Sequence, residues 1–399
     1  MPNKLVKEKK HFLVIWPTIR RDWVSTFYKL EDQFRFTFIP STFPQEPNFA
    51  DCFECRYWSE FSSVQELLDE VKPDGVIFMS IESGLSMATN YLAQKRGIRT
   101  IILQHGIFTN YKDYRNREKL WRKNSLARET KDSQAQKGFS TLRFLKKSFI
   151  GTDRFKLLSI AIYTKLQQKV GPYWAAKHLP LSIKKANQYI CYSPFNATIH
   201  RETDRVSEHE ISYVGSHELM NYLRKEEPLT DKPFYLHIDQ ALAQNSFGEE
   251  TVSREAMIGF YQKLNDYCLS QQASLYIKLH PESYKSDWLP KHDNIHYIRH
   301  VDNFNQIIQS ALGCFGFYST MVIPAVYWKP TILFKITYSG LQESISEEFN
   351  ITVLNFWSFD HMDINFSSLK DKDGFVKRYI KPDGVGEDSL QKILAEFIT

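Results

Sequence analysis

Short runs of four to six apolar residues alternate along the chain with stretches in which apolar side chains recur every three or four positions. The first pattern fits a buried strand and the second an amphipathic helix. Apolar runs at 11–16, 34–39, 76–79 and 100–103 predict strands. An aromatic-rich helix is expected after the first of these, to about Leu30, and Pro40, Pro44 and Pro47 mark a loop. The segment 59–71, with Phe61, Val64, Leu67, Leu68 and Val71 at helical spacing, and the segment 85–94, closed by Gly97, predict helices. After an interruption, strands are expected at 187–192 and 211–214, with Ser193-Pro194 opening a helix between them. Charges and Pro collect at 225–233, and the pattern then restarts. Strands at 234–238, 275–279, 295–298, 312–317 and 331–334 alternate with helices at 253–269, 304–310 and 320–328, and a helix at 388–397 closes the chain. Such alternation predicts parallel, doubly wound α/β sheets. The expected architecture is two Rossmann-like domains, 1–225 and 226–399, facing one another across a cleft.

Three polar clusters fall at the carboxyl tips of these strands, where open α/β sheets bind ligands. In Lys278-Leu279-His280-Pro281-Glu282, alternation puts Lys278 and His280 on one face. Pro281 ends the strand and leaves the imidazole at its tip. In Gly316-Phe317-Tyr318-Ser319-Thr320 a strand passes into a helix, so Ser319 or Thr320 is placed to cap it beside unpaired N–H groups that suit a phosphate. Lys278 adds charge there or points to solvent. In Gln104-His105-Gly106, the glycine permits a tight turn or close approach to a ligand. His105 is then either incidental to that turn or a base for an acceptor hydroxyl, since imidazole titrates near ~6.5. Asp239 and Gln240, at the tip of 234–238, and Glu282 are further candidates for contacts to a nucleotide or sugar.

Charge changes the picture in one place. The segment 112–185 holds 19 Lys and Arg against 5 Asp and Glu. That local excess of 14, in a chain of net charge +5, leaves the remainder at −9. The basic stretch 111–186 interrupts the strand–helix alternation and is expected to be helical in pieces. Within 141–170, Leu142, Leu145, Phe149, Phe155, Leu158, Ile162 and Leu166 lie between Lys and Arg residues. Two readings stand: a basic amphipathic element for an anionic membrane surface, or a helical excursion packed on the first domain. No binding motif points to nucleic acid. No apolar run approaches the ~18 residues of a membrane span, and 11–16 is too short for a signal peptide, so a cytoplasmic location is expected. Cys52 and Cys55 lack a second pair at metal-binding spacing, and His292, His296 and His300 fall on loop and strand, so no metal is expected.

Taken in order, Gln104-His105-Gly106, Lys278-Leu279-His280-Pro281-Glu282-Ser283 and the run from Gly316 through Ser319-Thr320 to Lys329-Pro330 resemble bacterial cell-surface polysaccharide transferases of the GT-B fold. Sialyl- and polysialyltransferases of this kind have an acidic-acidic-Gly base motif, a His-Pro motif and a Ser-Ser/Thr motif. The related CDP-glycerol glycerophosphotransferases have a His-Gly motif instead. The second half here is more similar to the former and Gln104-His105-Gly106 to the latter. The resemblance implies inverting, metal-independent glycosyl transfer without a cofactor, from a CMP- or CDP-linked donor to a glycan or lipid-linked glycan. The product would be capsule or lipopolysaccharide, made on the cytoplasmic face of the inner membrane. A CMP-activated sialic-acid-like or other ulosonic acid is the leading donor. Carried over by residue, His105 is the general base, His280 holds the donor phosphate, and Ser319 and Thr320 assist. Lys278, Pro281, Glu282, Asp239 and Gln240 belong to the donor side, and Gln104 and Gly106 to the acceptor side or the turn. The rivals are a polyol-phosphate transferase, an enzyme like UDP-N-acetylglucosamine 2-epimerase, and a non-catalytic capsule-assembly subunit.

Overall fold

The computed structural model describes residues 9–125, 139–229, 232–243 and 252–397. Among these, the apolar runs of the first half form seven strands: β1 Lys10–Ile15, β2 Phe34–Phe38, β3 Glu54–Cys55, β4 Gly75–Phe78, β5 Arg99–Leu103, β6 Gln188–Cys191 and β7 Ile211–Tyr213. All are parallel, in the spatial order β3-β2-β1-β4-β5-β6-β7. The second half contributes β8 Phe234–Ile238, β9 Ser274–Lys278, β10 Ile295–Ile298, β11 Cys314–Gly316, β12 Thr331–Lys335 and β13 Thr352–Asn355. These too are parallel, in the order β10-β9-β8-β11-β12-β13. Helices cover both faces, which is why β1 and β4 read as unbroken apolar runs: Phe12, Leu13, Val14, Val76, Ile77 and Phe78 are all buried. This is the two-domain GT-B arrangement. In each sheet the chain order reverses once, between β1 and β4 and between β8 and β11. Ligands of open α/β sheets bind at such reversals.

Strand β13 was not expected from the pattern. It is a sheet edge, only partly buried, so its sequence lacks a continuous apolar signal. The helix expected at Ser193-Pro194 begins instead at Thr198. The Ser193 hydroxyl bonds the Asn196 side chain at 3.1 Å, and Asn196 donates to the Phe108 carbonyl at 2.9 Å. These local bonds hold a turn where a helix would have to break them.

The closing helix Ser389–Phe397 also departs from expectation. Its place in the chain predicts packing on the second half, but Leu394 and Phe397 pack among Phe12, Val14, Phe34 and Ile101 of the first. The Arg99 guanidinium lies 4.0 Å from the Phe397 ring centroid. The chain therefore crosses back, and this apolar helix face joins Val24 and Phe27 of the helix Arg21–Tyr28 in covering the first sheet. The halves also meet through Phe195, whose N–H donates to the Arg378 carbonyl and whose ring lies 4.9 Å from Tyr379.

The basic stretch is helical at Tyr111–Ser125, Thr141–Ser148, Arg154–Val170 and Pro172–His178, and 126–138 lies outside the described residues. Its inner face packs: Phe144, Leu145, Phe149, Ile160 and Tyr163 join Trp58, Val64, Leu67 and Met87 in one core. Its outer face does not, since Leu142, Ile150, Phe155, Leu158 and Ile162 are exposed. Among the described residues no helix is long and apolar enough to cross a membrane.

Candidate active site

Three second-half strand tips meet at the reversal between β8 and β11. After β9, Pro281 starts a single turn, Pro281–Ser283, and the His280 Nδ1 accepts the Glu282 N–H at 3.3 Å. That bond directs the proton of a neutral imidazole to Nε2, so His280 presents a donor even when uncharged. Burial lowers the His280 pKa, Glu282 opposes this, and Lys278 adds to it.

Asp239, at the tip of β8, was expected to touch the donor but lies beneath the site. It accepts the Tyr261 hydroxyl at 2.8 Å and the Ser283 hydroxyl at 3.2 Å, and also the His280 backbone N–H. Asp239 thus holds the His280 turn in place and is a positioning residue. Its surroundings are dry: burial pushes its carboxyl up to about 6 and drives the neighbouring His237 imidazole down to about 3.

After β11 the helix starts two residues later than expected, at Val322. Pro324 has no N–H to reach back to Thr320, so Ile323 takes that carbonyl at 3.1 Å in a tighter turn, and Val322 takes that of Ser319 at 3.0 Å. The Ser319 oxygen accepts the Met321 N–H at 3.3 Å, leaving its O–H to donate outward. Gly316 is required here, because a Cβ would lie 2.5 Å from a Val322 methyl.

His280, Gln240, Tyr318, Ser319 and Thr320 line one cavity of about 250 Å³, closed from the first half by Ile107, Thr109 and Arg117. His280 and the two hydroxyl residues, read from sequence as neighbours, thus share one cavity. Lys278 is not in this lining. Its ammonium turns towards β10 and donates to the Leu279 and Arg299 carbonyls and the Tyr284 hydroxyl, at 3.1, 2.9 and 3.2 Å. Pro281 and Glu282 shape the turn and also stay outside it. A larger groove of about 950 Å³ lies at the other end of the first sheet, near the starts of β1 and β2. Its charges are largely spent on each other, as in Lys10–Asp74 and Arg35–Glu54, at 3.3 and 2.7 Å.

In the first half, the Gln104 amide donates to the Gly106 carbonyl at 2.7 Å and accepts the Tyr192 N–H at 2.8 Å. It clamps the tip of β5 to that of β6, and Gly106 turns with φ +65°. His105 projects from this turn among Trp16, Trp23 and Phe108, edge-on, with centroids 5.7, 5.6 and 5.4 Å away. It does not line the cavity; Ile107, two residues on, does.

Residues 59–335, more than half of the chain, match the family model described as alpha-2,8-polysialyltransferase. The chain belongs to this family. It is a glycosyltransferase, and its family implies a nucleotide-sugar donor and a glycan acceptor. No curated protein matches it. Similar solved structures include Arabidopsis thaliana UGT89C1 complexed with quercetin (11% identity, 98% of this chain and 100% of that one, TM-score 0.49). Others are the UDP-GlcNAc 2-epimerase from Methanocaldococcus jannaschii (11%, 97% and 99%, 0.47) and Acinetobacter baumannii MurG (9%, 97% and 98%, 0.46).

One polar cluster of this polysialyltransferase-family chain was missed in its sequence. Glu82 follows β4, on the reversal between β1 and β4, just ahead of the helix Gly84–Lys95. Its carboxylate accepts the Lys184 ammonium at 2.7 Å and the Gln167 amide at 2.6 Å. Lys184 also reaches Asp204 at 3.7 Å and the Tyr163 hydroxyl at 3.1 Å. Burial alone would depress this ammonium, but Glu82 and Asp204 outweigh it and raise its pKa. The Glu82 carboxyl is raised by the same dense surroundings, although its side chain keeps 39% exposure. The signal in the sequence was a carboxylate two residues before a glycine at a strand tip, obscured because Ser83 stands where a second acid would make the motif plain.

Proposed function

We propose that the chain transfers a CMP-activated sialic acid or related ulosonic acid, with inversion, to a glycan of a bacterial surface polysaccharide. The observation that carries this reading is the convergence of His280, Ser319 and Thr320 on one cavity between the two halves. An acceptor hydroxyl attacks the anomeric carbon and gives its proton to a base on the first half. The bond to the phosphate oxygen breaks, and CMP leaves with the electron pair. His280 Nε2 and the two hydroxyls meet the charge that develops on that phosphate, so the scheme calls on no metal. His105 is assigned as the base, with Gln240 beside the sugar. Glu82 is the alternative base, because a raised carboxyl at a sheet reversal suits the same task.

Incubation of the purified chain with CMP-sialic acid, CDP-glycerol or UDP-N-acetylglucosamine, with an oligosialic acid acceptor, tests the donor. Release of CMP, with elongation of the acceptor, is expected. Consumption of CDP-glycerol alone would replace this reading with polyol-phosphate transfer, and C2 epimerisation of the UDP sugar would replace both.

The outer face of the basic helices supports a second partner, an anionic lipid surface on the cytoplasmic side of the membrane. Phe155 is 76% exposed in line with Leu158 and Ile162, and Arg143, Lys146, Lys147, Arg154, Lys156, Lys165 and Lys169 share the two helices and their junction. Apolar side chains would enter the headgroup boundary, and each basic residue near it adds about 1 kcal/mol. Phe155→Glu with Leu158→Glu should therefore cut sedimentation with phosphatidylglycerol vesicles at least ~10-fold, while pure phosphatidylcholine vesicles bind either form weakly. Equal binding of variant and wild type would leave this face without a lipid partner.

A further inference from the structure

The donor proposed above carries two anions on one anomeric carbon, the phosphate and a carboxylate. Of these two anions, only the phosphate has partners among the residues assigned so far. Among the described residues that line the cavity, Arg117 is the one permanent cation, and no carboxylate lines it. His280, Ser319 and Thr320 come from the second half, whereas Arg117 comes from the first, on the helix Tyr111–Ser125.

Arg117 is held in place. Its Nη2 donates to Asp113, one turn earlier, at 3.3 Å. Asp113 is nearly buried, and the same oxygen accepts the Thr109 hydroxyl at 2.6 Å. The Asp113 N–H is taken by the Asn110 side chain at 3.0 Å, and Asn110 in turn donates to the Tyr338 hydroxyl of the second half at 2.9 Å. Lys112 sits 3.7 Å from the centroid of that same tyrosine ring. The start of this helix is therefore pinned to both halves, and it carries the guanidinium to the cavity between them. Among the described residues Asp113 alone takes a hydrogen bond from it, so donors of the planar fork remain for a second carboxylate.

We propose that Arg117 forms the subsite for the carboxylate of the donor sugar, opposite the phosphate site of His280, Ser319 and Thr320. This rests on the reading of the donor as a CMP-linked ulosonic acid. Anchoring both anions fixes the anomeric carbon between the halves. It also discriminates against neutral aldoses, which would leave the guanidinium without its partner.

The test compares wild type, Arg117→Gln and Arg117→Lys by the KM for CMP-sialic acid and by inhibition with CMP, which lacks the sugar carboxylate. Loss of a charge-assisted bidentate contact should raise KM by about 10- to 100-fold in Arg117→Gln. The CMP inhibition constant should stay within about threefold, which also shows that the variant is folded, and Arg117→Lys should fall between. An unchanged KM, or an equal rise in KM and in the CMP constant, overturns the subsite alone. A wild-type chain that binds CMP but neither binds nor turns over CMP-sialic acid overturns the donor reading and the subsite with it.

Discussion

His280→Ala is expected to lower kcat for CMP release by about 10²- to 10³-fold, the usual loss when a preorganised donor to a developing anion is removed. The backbone of the turn should survive, because Asp239 still accepts the residue-280 N–H and the Ser283 hydroxyl. His280→Gln keeps an N–H near the position of Nε2 and should recover part of the rate. The pH dependence has a definite sign. Burial holds the imidazole below its ordinary pKa, so the empty site is mostly neutral at pH 7. A phosphate beside it favours the cation, and nucleotide binding then takes up a proton. CMP affinity should rise as pH falls through the ordinary imidazole range, and that slope should shrink in His280→Gln. Calorimetry across pH measures the slope and stopped assays measure kcat. A His280→Ala variant within about threefold of wild type would remove this residue from the leaving-group site.

The second large effect concerns the proton acceptor. His105→Ala is expected to lower kcat by about 10²- to 10⁴-fold, the range for losing a general base. CMP affinity should be unchanged, since the nucleotide is held from the other half. Glu82→Gln keeps the shape of the side chain and its bond to Lys184 while removing the basic oxygen. If only Glu82→Gln loses turnover, the base lies at the tip of β4 and His105 is a packing residue among Trp16, Trp23 and Phe108. Thermal melts run beside the kinetics separate chemistry from damage, because Lys184 keeps Asp204 when Glu82 is neutralised.

How much of this was legible depends on the distance over which each feature is encoded. β9 ends at Lys278, and Pro281 keeps the ladder from resuming beyond His280 because its ring has no N–H to donate. Ser253 starts the helix Arg254–Ser270 because its oxygen takes the Ala256 N–H at 3.1 Å. Such signals act within a few residues, and the strand tips with their candidate side chains follow from them. Even so, Pro324, an equally local signal, moves the helix start after β11 past Ser319 and Thr320.

Other features exist only once distant segments meet. Asp239 looks like a ligand-facing acid at a strand tip, but the Tyr261 and Ser283 hydroxyls turn it into a buried brace. Lys278 shares a strand face with His280, yet three oxygens beside β10 draw its ammonium away from the cavity. Arg117 is one of many cations in a basic stretch, and only the docking of its helix beside Tyr338 brings it to the cavity that His280 also lines. The closing helix shows an apolar face without an address, because burial is satisfied by any complementary surface and strand order decides which one is open. Residue pattern thus determined the two parallel sheets and the tips that carry the chemistry. Tertiary packing decided which side chains share the cavity, because hydrogen-bond partners and dry surroundings depend on neighbours far away along the chain.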